Sequence, residues 1–162
     1  LTQCKSNFGG PGENGCKEDE MRTEECTLET ASIEDIDIMR ELWESLPGLG
    51  LGPGDDKAAI ISFIRRNPHT CLVLKDKGQI IGTVLGGFDG RRGYVYHLAV
   101  RADCQHNGYG TLLLENVVQA LKNEGAGKIH LLVYRSNSSA QSFYTSRGWH
   151  LRDDINMFSW VD

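Results

Sequence analysis

The stretch Tyr94-Val-Tyr-His-Leu-Ala-Val100, followed by Gln105-His-Asn-Gly-Tyr-Gly110, decides the fold of this chain. Its first part is a run of aromatic and β-branched residues, which favour extended backbone. Its second part carries two glycines one residue apart, Gly108 and Gly110. A helical stripe follows, made of Tyr109, Leu113, Val117, Ala120 and Leu121, and Gly125 is placed to close it. In a strand-to-helix turn of this kind the backbone N–H groups converge on one point, and the helix N-terminus adds about half a unit of positive charge. The combination is an anion site, so a phosphate-bearing ligand is expected. No Gly-Lys-Ser/Thr follows, and the first glycine of the dinucleotide fingerprint is missing, which disfavours ATP and NAD. Taken alone, a Gly-x-Gly at a helix start equally suits a tight turn with close strand-helix packing.

Toward the N-terminus, Thr70 to Lys75 and Gln79 to Gly86 are β-rich runs separated by Asp76-Lys-Gly78, the signature of a tight hairpin. Before them a helix is expected from Asp55 to Arg66, with acidic residues at its positive end and Pro68 beyond its close. Pro47 and the glycines at 48, 50, 52 and 54 make a loop. Ser32-Ile-Glu-Asp35 is a capping-box pattern opening a helix from Ser32 to Leu46, and Cys26 to Ala31 reads as the first strand. Residues 1–20 are polar and aperiodic and read as a disordered tail or a segment foreign to the native chain, leaving 21–162 as one domain with Met21 a candidate start. Toward the C-terminus, Ile129 to Val133 is a buried-type strand, Asn137 to Arg147 a helix ended by Gly148, and Trp149 to Leu151 and Met157 to Val161 are final strands. The order is βααβββαβαββ. That is an α/β (α+β) fold with a mixed, mainly antiparallel sheet, since the hairpin and the few crossover helices disfavour a doubly wound parallel one.

Composition narrows the function. The chain has 162 residues, enough for one domain with its own core. Its five cysteines, Cys4, Cys16, Cys26, Cys71 and Cys104, are odd in number and widely spaced, so neither a disulfide framework nor a zinc site is expected and a reducing cytoplasm fits. A net charge of -5 without a dense Lys/Arg stripe argues against nucleic acid. No apolar run approaches the ~20 residues of a membrane span. A small-molecule or cationic partner is expected, with the chain a monomer or homodimer.

The pattern Gln-x-x-Gly-x-Gly, preceded by Leu-Ala-Val and followed by Asn137-Ser-Ser-Ala-Gln-Ser-Phe-Tyr144 and Gly148-Trp149, is similar to the two central motifs of the GNAT acetyltransferases. The resemblance covers nearly all of residues 26–162, element order included. It implies an acetyl-coenzyme A-dependent N-acetyltransferase in which a primary amine attacks the thioester directly, without a cysteine nucleophile. It implies a sheet splayed between its fourth and fifth strands, with the pantetheine arm paired, peptide-like, along Leu98, Ala99 and Val100. The pyrophosphate role maps onto Gln105, His106, Asn107, Gly108, Gly110 and Thr111, mostly through backbone. Asn137 resembles the asparagine that contacts the cofactor arm, and Tyr144 the tyrosine near the thioester sulfur, where a phenol can give a proton to the departing thiolate. Apart from the motif, Tyr144 also suits a core aromatic and Asn137 a helix cap. Two features depart from the family. His106 and Asn107 stand where many members carry Arg or Lys, and Leu132 stands where members acetylating the N-terminal alanine of a ribosomal protein carry a glutamate base.

A group must take the proton of the acceptor amine. Strict alternation puts Tyr94, Tyr96, Leu98 and Val100 on one face of their strand and Val95, His97 and Ala99 on the other. Imidazole, with an ordinary pKa near 6.5 against about 10 for a phenol, is the better base by chemistry. Alternation turns His97 away from the face where relatives hold their base, so Tyr96, ordering a water relay, is expected, unless both tyrosines only line a passive wall. Asp55-Asp56 and Asp153-Asp154 fall where the family forms its acceptor groove and would attract a cationic amine, or else are solvated turn residues. Two classes of function stand: an amine acetyltransferase, which Tyr144 favours, and a non-catalytic acyl-coenzyme A-binding regulatory module.

Overall fold

Residues 26–160 are those the computed structural model describes; the expected tail over 1–20 lies outside them. β1 (Cys26–Thr30) leads through a short 3-10 turn (Ile33–Asp35) into α1 (Ile36–Glu44). The expected capping box is formed by the Asp35 carboxylate, which accepts from the N–H and the hydroxyl of Ser32, each at 2.8 Å. Burial pushes the Asp35 carboxyl up, yet the Ser32 donors and the Lys75 ammonium at 3.2 Å outweigh it and hold the group below its ordinary value. α1 buries Ile36, Met39, Leu42 and Trp43 on one face. α2 (Lys57–Arg66) is capped by Asp56, whose side chain accepts from the Ala59 N–H at 3.0 Å, and it ends on Arg65 and Arg66 at its negative pole.

β2 (Leu72–Asp76) and β3 (Gln79–Phe88) form the expected hairpin, with Lys77 and Gly78 at φ 48° and 78° as a two-residue type I′ turn requires. β4 (Gly93–Val100) runs antiparallel to β3, and β5 (Ile129–Leu131) runs parallel to β4, so the sheet order is β1-β2-β3-β4-β5. One face packs on α1 and α2 through Ile36, Met39, Trp43, Ile60, Ile64 and Leu85. The other packs on α3 (Tyr109–Asn123) through Val84, Val95, Leu113, Val117 and Leu121. β3 is buried over most of its length because both of its faces are covered. α4 (Ser138–Thr145) follows β5, and the expected order holds up to this helix.

The two final strands, expected at Trp149 to Leu151 and Met157 to Val161, do not form among the described residues. A strand needs a neighbour to take up its N–H and C=O groups and cover its side chains. β5 is only three residues long, shorter than the expected Ile129 to Val133, and its outer edge is unpaired among the described residues. Leu151, Met157, Phe158 and Trp160 accordingly remain 68% to 91% exposed.

The alternation expected along β4 fails at one point. Thr83 faces Ala99 and Leu85 faces Tyr96, so His97 and Leu98 together oppose Val84. His97 holds this β-bulge at φ 48°, a left-handed conformation uncommon outside glycine. The extra residue exchanges the faces beyond it. His97 joins Tyr96 on the side of α1 and α2, Leu98 and Val100 turn toward α3, and Ala99 packs with the α1 cluster.

Candidate active site

The turn after β4 is braced by its own side chains. Gln105 Nε2 donates to the Val100 carbonyl at 3.0 Å, and Asn107 Nδ2 donates to the carbonyls of Cys104 and Gln105 at 3.1 and 3.0 Å. His106 and Gly108 adopt positive φ, 64° and 81°, and left-handed residues set among right-handed ones turn successive N–H groups into an anion-binding concavity. A Cβ on Gly108 would meet no protein atom within 4 Å, so the space before it is open, as a phosphate needs. Gly110 differs: a Cβ there would lie in ordinary contact with the Phe143 ring, at 3.4 Å, so this position faces α4 rather than open space. Gly108 therefore borders open space and Gly110 borders α4.

Thr111, in the first turn of α3, accepts from Arg147, with Nε at 2.9 Å and Nη2 at 2.6 Å. The same guanidinium lies 3.8 Å over the Phe143 ring. Arg147 was not among the expected site residues. It brings to the α3 N-terminus the cation that His106 and Asn107 do not supply. The i,i+4 spacing of Phe143 and Arg147 carries part of the signal, but only the packing of α4 on α3 puts them beside Thr111.

β4 and β5 pair only from Gly93 to Val95. Past that point the β4 edge through Leu98, Ala99 and Val100 stands open, which is the expected splay. Asn137 caps α4, its Oδ1 accepting from the Ala140 N–H at 3.0 Å. Its amide also faces the loop after α1, where a Cβ on Gly48 would lie 3.1 Å from Nδ2 and one on Gly50 would strike the Tyr134 ring. The loop 46–56 thus reaches from the α1 side across the splay to the chain beyond β5, and its glycines permit that approach.

Tyr144 packs on the α3 side against Phe143 and Trp149, with ring centroids at 5.1 and 6.0 Å. Burial pushes its phenol up to about 12, so it holds its proton at neutral pH. On the opposite side an aromatic wall forms. Tyr94 stacks on Tyr96 at 6.2 Å, Phe63 meets Tyr96 edge-on at 5.8 Å, and His130 lies 5.6 Å from Tyr94. Burial, then Tyr94 and Asp89, raise the Tyr96 pKa, so this phenol can orient a water but takes up no proton near neutrality. Burial and the nearby Lys128, Arg92 and Arg152 lower the pKa of His130.

The bulge brings His97 to this same side, against the alternation that turned it away. Its ring lies on Trp43 at 4.5 Å and 39°, and its Nε2 is 2.7 Å from Asp55 Oδ1. Three of the four acidic residues are engaged: Asp55 across the fold with His97, Asp56 locally as the α2 cap, and Asp154 locally with Arg152 at 2.6 Å. Tyr144 and the Tyr96-His97 pair therefore occupy opposite faces of the sheet, on either side of the open β4 edge.

The profile of the acetyltransferase (GNAT) family matches residues 36–149. An acetyltransferase of Pectobacterium atrosepticum is 30% identical over 124 residues, 76% of this chain and 87% of its own length. Ard1 from Thermoplasma volcanium superposes with a TM-score of 0.70 at 19% identity, over 78% of this chain and 84% of that one. The PaiA N-acetyltransferase from Thermoplasma acidophilum, solved in complex with coenzyme A, does so with a TM-score of 0.67 at 21% identity, over 79% and 91%. With a mainly antiparallel sheet splayed after β4 and a left-handed glycine turn opening α3, the chain belongs to the GNAT family of acetyltransferases.

Proposed function

We propose that the protein is an N-acetyltransferase that takes acetyl-coenzyme A in the splay and acetylates a primary amine by direct attack in a ternary complex. The observation that carries this reading is the open edge at Leu98, Ala99 and Val100 running straight into the turn at Gly108, where the space is clear. The turn N–H groups and Arg147 suit the pyrophosphate, and the β4 edge suits an amide-bearing arm. A coenzyme A complex of the similar PaiA fold supports the same ligand class. Acetyl-coenzyme A, when bound, supplies the thioester carbonyl that is attacked and the sulfur that leaves. Tyr144 holds a proton for that sulfur, Asn137 orients the arm, and Tyr94, Tyr96 and Phe63 line the acceptor side. Cys71 offers no covalent route, because burial pushes its thiol up to about 12. The acceptor is an amine on a small molecule or peptide, and a cytoplasmic location suits the free thiols of Cys26, Cys71 and Cys104.

Two measurements test it. Calorimetry should give binding of acetyl-coenzyme A to the wild type and at least tenfold weaker binding to Gly108→Val, because a β-branched residue at φ 81° is strained by roughly 1–3 kcal/mol and fills the cleared space. Thiol release across a panel of amines should identify an acceptor. Binding without release to any amine would favour the regulatory-module reading instead, and equal affinity in a folded Gly108→Val protein would remove the phosphate assignment.

A further inference from the structure

We infer that His97, oriented by Asp55, is the catalytic base that takes the proton of the acceptor ammonium, and that the base is assembled only when the loop 46–56 is closed. The inference rests on the transferase reading above and adds to it the residue that activates the amine. Three observations carry it. The bulge holds His97 in a left-handed conformation that costs energy and must be stabilised by its surroundings. Those surroundings are explicit: Trp43, fully buried, donates from Nε1 to Thr83 Oγ1 at 2.8 Å, and Thr83 Oγ1 donates to the His97 carbonyl at 3.2 Å, while the indole supports the imidazole face. The bulge thereby places the ring beside Tyr96 on the side of α1 and α2, at the start of the open β4 edge.

Asp55 completes the arrangement from the loop. Its Oδ1 is 2.7 Å from His97 Nε2, and its Oδ2 accepts from the Gly52 N–H at 2.7 Å. With Nε2 engaged, the proton acceptor is Nδ1, which makes no hydrogen bond among the described residues. This is the base-and-orienter logic of a hydrolase triad, with the orienting carboxylate carried on the segment that also bridges to Asn137 and Tyr134. The elements packed against the ring present Asp55 from the loop, Trp43 from α1 and Thr83 from β3, of which only Asp55 titrates, and its own strand adds Tyr96. The step balances. One ammonium proton passes to Nδ1 and on to water. The amine nitrogen then forms the bond to the acetyl carbon and sheds its second proton, the C–S bond breaks with its electron pair on sulfur, and sulfur takes a proton from Tyr144, which regains the one lost from nitrogen.

The test compares wild type with His97→Asn and Asp55→Asn, using the best acceptor amine. Asparagine tolerates the left-handed backbone, so His97→Asn keeps the bulge. In the wild type, kcat/KM should rise with pH and level off once imidazole is neutral. In His97→Asn it should be about 10²-fold lower near neutrality and climb without levelling until the free acceptor's own pKa is reached. Asp55→Asn should lower kcat about tenfold with acetyl-coenzyme A affinity within twofold, and should speed hydrogen exchange at the Gly52 amide, a readout independent of turnover. A His97→Asn profile that levels off where the wild type does, at a rate within twofold, overturns the base assignment while leaving the transferase standing. Unchanged Gly52 exchange in Asp55→Asn overturns the loop's part in it. A wild type that binds acetyl-coenzyme A yet acetylates no amine overturns both readings together.

Discussion

Tyr144 illustrates at the level of one residue how burial fixes the protonation state of a common side chain. The phenol, pushed up to about 12, cannot ionise at neutral pH and so remains a donor. Tyr144→Phe keeps the ring packing and removes the proton, so kcat should fall toward the lower end of the 10² to 10⁴-fold range typical of general acids, because a thiolate leaves readily, while acetyl-coenzyme A affinity stays within twofold. The same shift has a sign in stability. A raised pKa means the folded protein holds the proton more tightly, so this contribution is complete below the free phenol value near 10 and is lost as pH rises toward about 12. Melting curves of the wild type should therefore drop more steeply than those of Tyr144→Phe across that window. Arg147 belongs to the same scale. If it supplies phosphate charge, Arg147→Gln should weaken acetyl-coenzyme A binding several-fold at low salt and less at high salt, with kcat unchanged, since exposed charge is screened within about 10 Å at 0.1 M. Calorimetry at two ionic strengths reads the difference.

Helices and strands differ in how much of their geometry is local, and the elements of this chain divide accordingly. Asp56 caps α2 through a hydrogen bond three residues away, so that helix start was readable to within two residues. Asp35 closes its box with Ser32 over the same span, but Ile33–Asp35 wind as a 3-10 turn and α1 begins only at Ile36, four residues past Ser32. Replacing the α2 cap by Asp56→Ala should cost about 0.5–2 kcal/mol in chemical denaturation. The neighbouring Asp55→Asn should cost less stability and more turnover, which separates two adjacent carboxylates that the sequence presents alike. Strand β4 is the opposite case. Its composition announces a strand, but the bulge depends on how Thr83, Trp43 and the β3 backbone receive His97, and no residue in Tyr94 to Val100 marks it. One inserted position moved His97 from the face of α3 to the face of α1 and α2.

Across the whole molecule, protection should follow the sheet. β3 is covered on both faces and paired on both edges, whereas residues 149–160 carry no strand and expose Leu151, Phe158 and Trp160 by 80% or more. Native-state hydrogen exchange should give β3 amides the slowest rates and leave most amides of 150–160 near the unprotected rate. Slow exchange in that segment would mean that it pairs on the free edge of β5 in solution.

The sequence by itself determined the parts set by neighbours along the chain: the Asp76-Lys-Gly78 hairpin, the capped helices, the apolar stripe of α3, and the Gly108 turn with its demand for a left-handed residue. Motif order added the family and the tyrosine on α4. Tertiary structure alone decided what distant segments do to one another. Gly110 came into contact with α4, Arg147 reached Thr111 from 36 residues away, and the expected C-terminal strands did not form among the described residues, where β5 ended after three residues. His97 found Asp55 across 42 positions of sequence. The physical reason is common to these cases. Backbone propensity and capping act over a few residues, whereas strand register, bulges and the pairing of ionisable groups are fixed by which surfaces the core brings together.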